Sequence, residues 1–341
     1  MSVSVIVPAH NEEERLFYTL TSISQQSLSP QKIVIVDDTS TDRTGLIGAL
    51  YPASTCVRPE SLCGSKASAQ NFGLQYVESK YVVAVDADTI LRPDALNVMV
   101  DAMRHNPKAT AACAWVMPLK HKTLWQKGRT IEYCFAFFWF KRVQNYLQRP
   151  LICSGCLNIF KTNTLRWLGG YPTNTLAEDM DMTWGIYEKH VGQVLFLPQA
   201  VAYTDDPETL QQLRFQLARW SCAYWQNLRK HYSSLWRNDK RSWGLVTVGL
   251  VDSLAGSLYY PIVAVIALMN WTWALALLIG DCMLIWFIAV LGARRFHMAL
   301  KTLRFMPGFF ALRLVNTFYF LKYMWITGIR GRTIGRYIKG H

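Results

Sequence analysis

Four short stretches of this sequence carry the residue types that do chemistry. The apolar run Lys32 to Val36 ends in Asp37-Asp38, and the run Tyr81 to Val85 ends in Asp86-Ala87-Asp88. Further on, Ala177-Glu178-Asp179-Met180-Asp181 opens a helix-like segment with three carboxylates, and Gln216-Leu217-Ala218-Arg219-Trp220 joins an amide, a guanidinium and an indole. An Asp-x-Asp at a strand end offers the hard oxygen ligands that hold Mg2+ or Mn2+, ions that usually keep substrate phosphates as further ligands. A lone Asp-x-Asp is more often a surface turn, and a Glu-Asp pair at a helix start is often a plain cap. Position after a buried strand tips Asp86 and Asp88 toward chemistry. Spacings of three and four residues put Gln216, Arg219 and Trp220 on one face of a helix.

The elements around these residues predict an α/β domain. Val3 to Val7 and Lys32 to Val36 are continuous apolar runs, as strands buried on both faces of a parallel sheet require. Between them lie the loop Pro8-Ala9-His10-Asn11 and a helix from about Glu12 to Gln26. The resulting βαβ unit delivers Asp37-Asp38 to the carboxyl edge, where open α/β sheets bind ligands. Helices are expected from Thr41 or Asp42 to Leu50, from Lys66 to Glu78 and from Pro93 to His105. Further strands are expected at Tyr81 to Val85, Ala109 to Val116 and Gln193 to Tyr203.

The ordered set of four stretches resembles family 2 of the glycosyltransferases, in the membrane-bound QxxRW branch. That branch includes cellulose, chitin, hyaluronan and poly-N-acetylglucosamine synthases, with ceramide glucosyltransferases as relatives. The resemblance implies a GT-A fold, a Rossmann-like α/β domain with a mostly parallel sheet, over residues 1–235. It implies a metal-dependent, inverting hexosyltransferase using a UDP-sugar, with UDP-N-acetylglucosamine or UDP-glucose as donor and a processive polysaccharide as product. The alternative is a non-processive lipid glycosyltransferase with a ceramide- or polyprenyl-phosphate-type acceptor. Asp88 and Asp86 match the family's Mg or Mn site, Asp86 also on the nucleotide side. Pro8, Ala9, Asn11, Glu12 and Asp38 match the uridine pocket, and Lys66 and Arg219 the donor phosphates. Asp179 matches the general base with Glu178 beside it, and Gln216 and Trp220 match the acceptor side. Where the family writes Thr-Glu-Asp this chain has Ala177-Glu178-Asp179, which removes a hydroxyl and keeps the base.

The remainder predicts a membrane domain over residues 244–341. Gly244 to Met269 and Trp271 to Leu291 are long enough to cross hydrocarbon, interrupted only by Asp252 and Asp281, with a short turn at Asn270. Phe305 to Thr327 has the length of a third span but carries Arg313 and Lys322, and reads as either a span or an interfacial segment. Aromatic and basic stretches at about 123–147 and 207–240 predict amphipathic interface helices, an aromatic core helix being the other reading of the first. The net charge of +13 suits anionic lipid beside these segments. No zinc-finger, RRM or helix-turn-helix signature accompanies it, so nucleic acid is not an expected partner. The positive-inside rule puts the catalytic domain and Arg294-Arg295 in the cytoplasm. Eight scattered cysteines, with no signal peptide before Val3, agree with a reducing compartment, and Cys153-Ser154-Gly155-Cys156 reads as structural thiols flanking a tight turn. The expected partners are a UDP-sugar, a glycan or lipid acceptor and the bilayer, and a homo-oligomer is compatible with all of these.

Overall fold

The computed structural model describes residues 2–334. They form two compact units, one built from the chain up to Leu119 together with Leu147–Asp205, the other from Lys120–Tyr146 and Asp206–Ile334.

The first unit is an eight-stranded mixed sheet flanked by helices. Its strands, numbered along the chain, are β1 (Val3–Ala9), β2 (Lys32–Asp37), β3 (Ser54–Val57), β4 (Tyr81–Val85), β5 (Thr89–Leu91), β6 (Ala109–Pro118), β7 (Leu157–Lys161) and β8 (Gln193–Thr204). They lie in the order β3-β2-β1-β4-β7-β6-β8-β5. β1 runs parallel to both β2 and β4, so Val5 faces Ile33 on one side and Val83 on the other. These valines and isoleucines are fully or nearly fully buried, which is why the strands read as unbroken apolar runs. The helices of this unit are α1 (Leu16–Ser24), α2 (Thr44–Leu50), α3 (Lys66–Leu74), α4 (Ala95–His105), α7 (Thr162–Trp167) and α8 (Glu178–Glu188). Parallel pairing holds for β3-β2-β1-β4 and for β6-β8, while β7 pairs antiparallel with β4 and β6, and β5 antiparallel with β8. The reversed β7 starts at the carboxyl edge of β4, so the turn preceding it lies beside Asp86, whose N–H donates to Cys156 O at 3.2 Å.

Local chemistry moves two expected boundaries. α1 starts at Leu16 rather than Glu12, because Asn11 takes a left-handed conformation (φ 54°) and the N–H groups of Asn11 and Glu12 donate to Ser40 Oγ and Thr44 Oγ1. α3 stops at Leu74 rather than Glu78. It lies so close to the sheet that a Cβ on Gly73 would come within 2.8 Å of Val36 and 2.9 Å of Ile6.

The second unit is helical: α5 (Leu124–Phe135), a π-helical turn at Ala136–Phe140, α6 (Lys141–Tyr146), α9 (Leu210–Asn238), α10 (Lys240–Met269), α11 (Trp271–Ala293) and α12 (Thr302–Tyr323). Reciprocal Thr-Gln capping boxes start α5 at Thr123 and α9 at Thr209. Asp239 caps α10, and Asn270 in the one-residue turn caps α11. α10 and α11 are long and apolar enough to cross a membrane. α12 is held against α11 by an Arg313–Asp281 ion pair at 2.6 Å, with Tyr259 and Tyr260 of α10 under the guanidinium. The aromatic stretch after α5 divides its side chains, Phe137 being buried while Trp139 and Tyr146 are exposed. The basic residues from 335 onward, including Arg336 and Lys339, lie outside the described residues.

Candidate active site

Three neighbouring parallel strands end at one edge of the first unit and set down most of the expected donor residues together. Pro8 and Ala9 finish β1, Asp37 finishes β2 with Asp38 next to it, and Asp86 and Asp88 follow β4. Asn11 ties the first two loops together, accepting from Thr41 N–H at 2.9 Å. The two adjacent aspartates at the end of β2 divide their work. Asp37 is locked to Arg58 at 2.7 Å and accepts from Ser40 N–H, whereas Asp38 accepts from Cys63 N–H at 2.7 Å in the loop that leads to α3. Glu12 is buried and faces Arg15 at 3.7 Å, and Arg15 in turn pairs with Asp205 at 2.8 Å.

Lys66, the first residue of α3, joins the carboxylates of distant segments. Its Nζ lies 2.5 Å from Asp86 Oδ1 and 3.2 Å from Glu178 Oε1, and it donates to Gly155 O at 3.1 Å. Burial works against its charge, but Asp86, Glu178 and Asp179 together hold its pKa above the usual lysine range. Gly155 N–H donates to Asp179 Oδ2 at 2.9 Å, while Asp179 Oδ1 accepts from Met180 N–H in the first turn of α8. A Cβ on Gly155 would come within 3.0 Å of Lys66 Nζ and 3.3 Å of both Glu178 and Asp179, so a side chain there would crowd all three. The tight turn read as a spacer between structural thiols is therefore part of the site. The spacing Cys-x-x-Cys drew attention to the thiols, and only the reversed direction of β7 shows what the glycine between them does.

Burial and like charge set the protonation of the two acids that matter. Asp179 is pushed up to about 6, first by burial and then by Glu178. Asp88 is pushed up to about 7 by burial and then by Asp86. Among the described residues no group of three or more His, Cys, Asp or Glu is arranged to hold a metal ion by itself. Two close carboxylates that repel one another are nevertheless the hard-oxygen set that suits Mg2+ or Mn2+ completed by substrate phosphates. Asp86 and Asp88 thus fit such an ion.

Gln216, Arg219 and Trp220 belong to the second unit. All three lie on α9 and are half-buried. Arg129 of α5, absent from the sequence-based set, reaches two of them. Its Nη2 donates to Gln216 Oε1 at 2.6 Å and its guanidinium stacks 4.8 Å from the Trp220 ring centre. Glu132 and Asp206 are its carboxylate partners. An arginine in an aromatic, basic stretch resembles lipid-facing charge, so nothing in the one-dimensional pattern separated it from its neighbours.

A mixed α/β sheet with carboxylates at its carboxyl edge, followed by long apolar helices, is an architecture of the GT-A type. Residues 4–166 match the family model described as glycosyl transferase family 2. It is 26% identical over 242 residues to a poly-beta-1,6-N-acetyl-D-glucosamine synthase of Staphylococcus epidermidis, an alignment covering 70% of this chain and 58% of that protein. With a protein of the same name from Staphylococcus aureus (strain COL) it shares 27% identity over 221 residues, covering 64% and 53%. The chain therefore spans somewhat more than half the length of these relatives. Among solved structures it is similar to a mannosyltransferase from Pyrobaculum calidifontis in complex with GDP-Man and Mn2+, with a TM-score of 0.60, 22% identity and coverage of 94% and 86%. S. aureus TarS 1-349 in complex with UDP-GlcNAc gives a TM-score of 0.57, 16% identity and coverage of 97% and 93%. At these identities the two structures speak for the fold alone.

Proposed function

We propose that this chain transfers a sugar from a UDP-sugar to an acceptor hydroxyl with inversion at the anomeric carbon, as a membrane-associated polysaccharide synthase. One observation carries the reading: Asp86, Lys66, Gly155, Glu178 and Asp179, drawn from four separate segments, form one connected polar cluster at the sheet edge. Asp38 and the Pro8–Glu12 loop bind the nucleoside, and Lys66 turns from its carboxylates to the donor phosphates. Asp86 and Asp88 would hold the divalent ion, which when bound offsets the charge of the departing diphosphate. Asp179, oriented by Gly155 N–H, takes the acceptor proton while the acceptor oxygen attacks the face opposite the leaving UDP. Arg219 pairs with diphosphate and Trp220 stacks on the acceptor sugar. UDP-N-acetylglucosamine is the favoured donor, supported by the names of the staphylococcal relatives. The catalytic unit faces the cytoplasm.

Purified protein incubated with a panel of nucleotide sugars, GDP-mannose included, tests this directly. UDP should be released from UDP-N-acetylglucosamine with Mn2+ or Mg2+ and not in chelator, and Asp179→Asn should lower transfer by about 100-fold or more. A labelled product of high molecular weight supports the synthase. A single glycolipid replaces it with the lipid-acceptor alternative, and release of GDP alone overturns the donor.

A further inference from the structure

Arg129 is 1% exposed, and a guanidinium removed from water is tolerated only beside compensating carboxylates and acceptors. Its fork is divided among Glu132, Asp206 (3.4 Å) and Gln216 (2.6 Å), and its flat faces meet Trp220 (4.8 Å) and Tyr133 (5.7 Å). The partners are themselves fixed. Tyr133 Oη donates to Asp206 Oδ1 at 3.4 Å, and Gln126, which completes the capping box of α5, reaches Asp206 O at 3.4 Å. If α5 and α9 needed only to be fastened together, apolar side chains of similar size would serve as well or better, because burying a charge costs more than packing hydrocarbon. What a guanidinium adds is geometry: a planar set of donors fixes the direction of an amide oxygen and the plane of an indole at once, which the point charge of a lysine does not.

We infer that Arg129 is a positioning residue for the Gln216–Trp220 face, orienting the amide and the ring that meet the acceptor. The inference rests on the transferase reading above. At 1% exposure Arg129 offers almost no surface of its own to a donor or acceptor. It acts through the motif, holding one face of the half-buried indole so that the remaining surface is presented in a single orientation. Misplacement of that platform reduces transfer to the acceptor while leaving hydrolysis of the donor to water intact.

The chain has 13 tryptophans, so 5-fluorotryptophan labelling gives a fluorine NMR signal for each, and the signal missing from Trp220→Phe is that of Trp220. In Arg129→Met that one resonance should shift while the others stay, transfer should fall about tenfold or more, and UDP release without acceptor should change by less than about twofold. An unmoved Trp220 resonance, unchanged transfer, or an equal loss of hydrolysis and transfer overturns the inference. If Arg129→Met does not fold, Arg129→Lys decides. It keeps the charge and loses the fork, so the resonance should still move and transfer should still fall, whereas wild-type behaviour overturns the inference. Wild-type protein releasing UDP from no donor would instead defeat the transferase reading, so the two failures are distinguishable.

Discussion

At the scale of single residues, the cluster on Lys66 sets how the chemistry depends on pH. Asp179 must be ionised to accept a proton, and burial with Glu178 beside it places its titration near pH 6. Transfer at saturating donor should therefore rise with pH through that region. Glu178→Gln removes a like charge, so the rising limb should move to lower pH, as a pH profile of kcat will read; a limb that stays in place or moves up would contradict the assignment of Asp179 as base. The carboxylates were legible in the sequence because each follows a buried strand or opens a helix, where carboxylates mark either a cap or a site. Gly155 and Arg129 were not. A glycine between cysteines and an arginine among aromatics have several ordinary explanations, and their value comes from what lies across space: Asp179 in one case, Gln216 and Trp220 in the other.

At the scale of elements, backbones approach unusually closely in the helical unit. A Cβ on Gly308 of α12 would come within 2.3 Å of Leu124 O, and one on Gly128 of α5 within 2.3 Å of Gly308 O. Gly128 immediately precedes Arg129. Gly308→Ala should force the two helices apart, costing about 1–3 kcal/mol by overpacking, which thermal unfolding in detergent will measure. It should also displace Arg129 and reduce transfer, and a fully stable, fully active Gly308→Ala would refute the tight crossing. The long strands and the apolar helices were readable because burial on two faces and hydrocarbon-length runs leave one-dimensional signatures. β3 and β5 escaped because strands of four and three residues give too few positions for a pattern, and β7 because Asn158 and Lys161 break the apolar run that marks the equally long β4. The direction of β7, which creates the Gly155 contact, is a tertiary fact with no local sign.

At the scale of the molecule, the proposed topology puts the turn at Asn270 on the side of the membrane opposite the catalytic unit. An alkaline phosphatase reporter inserted between Met269 and Trp271, with the protein produced in a bacterium, should be active, since that enzyme needs the oxidising side. An inactive reporter in stably inserted protein would overturn the cytoplasmic placement. The Arg313–Asp281 pair has a consequence for biogenesis under this topology. As α11 emerges from the ribosome, Asp281 is an uncompensated acid in an otherwise oily segment, at about 2.5–3.5 kcal/mol near the bilayer centre. Its countercharge is encoded 32 positions later, on α12. Until α12 packs against α11 that acid stays unpaired, so a nascent chain truncated before Arg313 should linger at the insertion machinery.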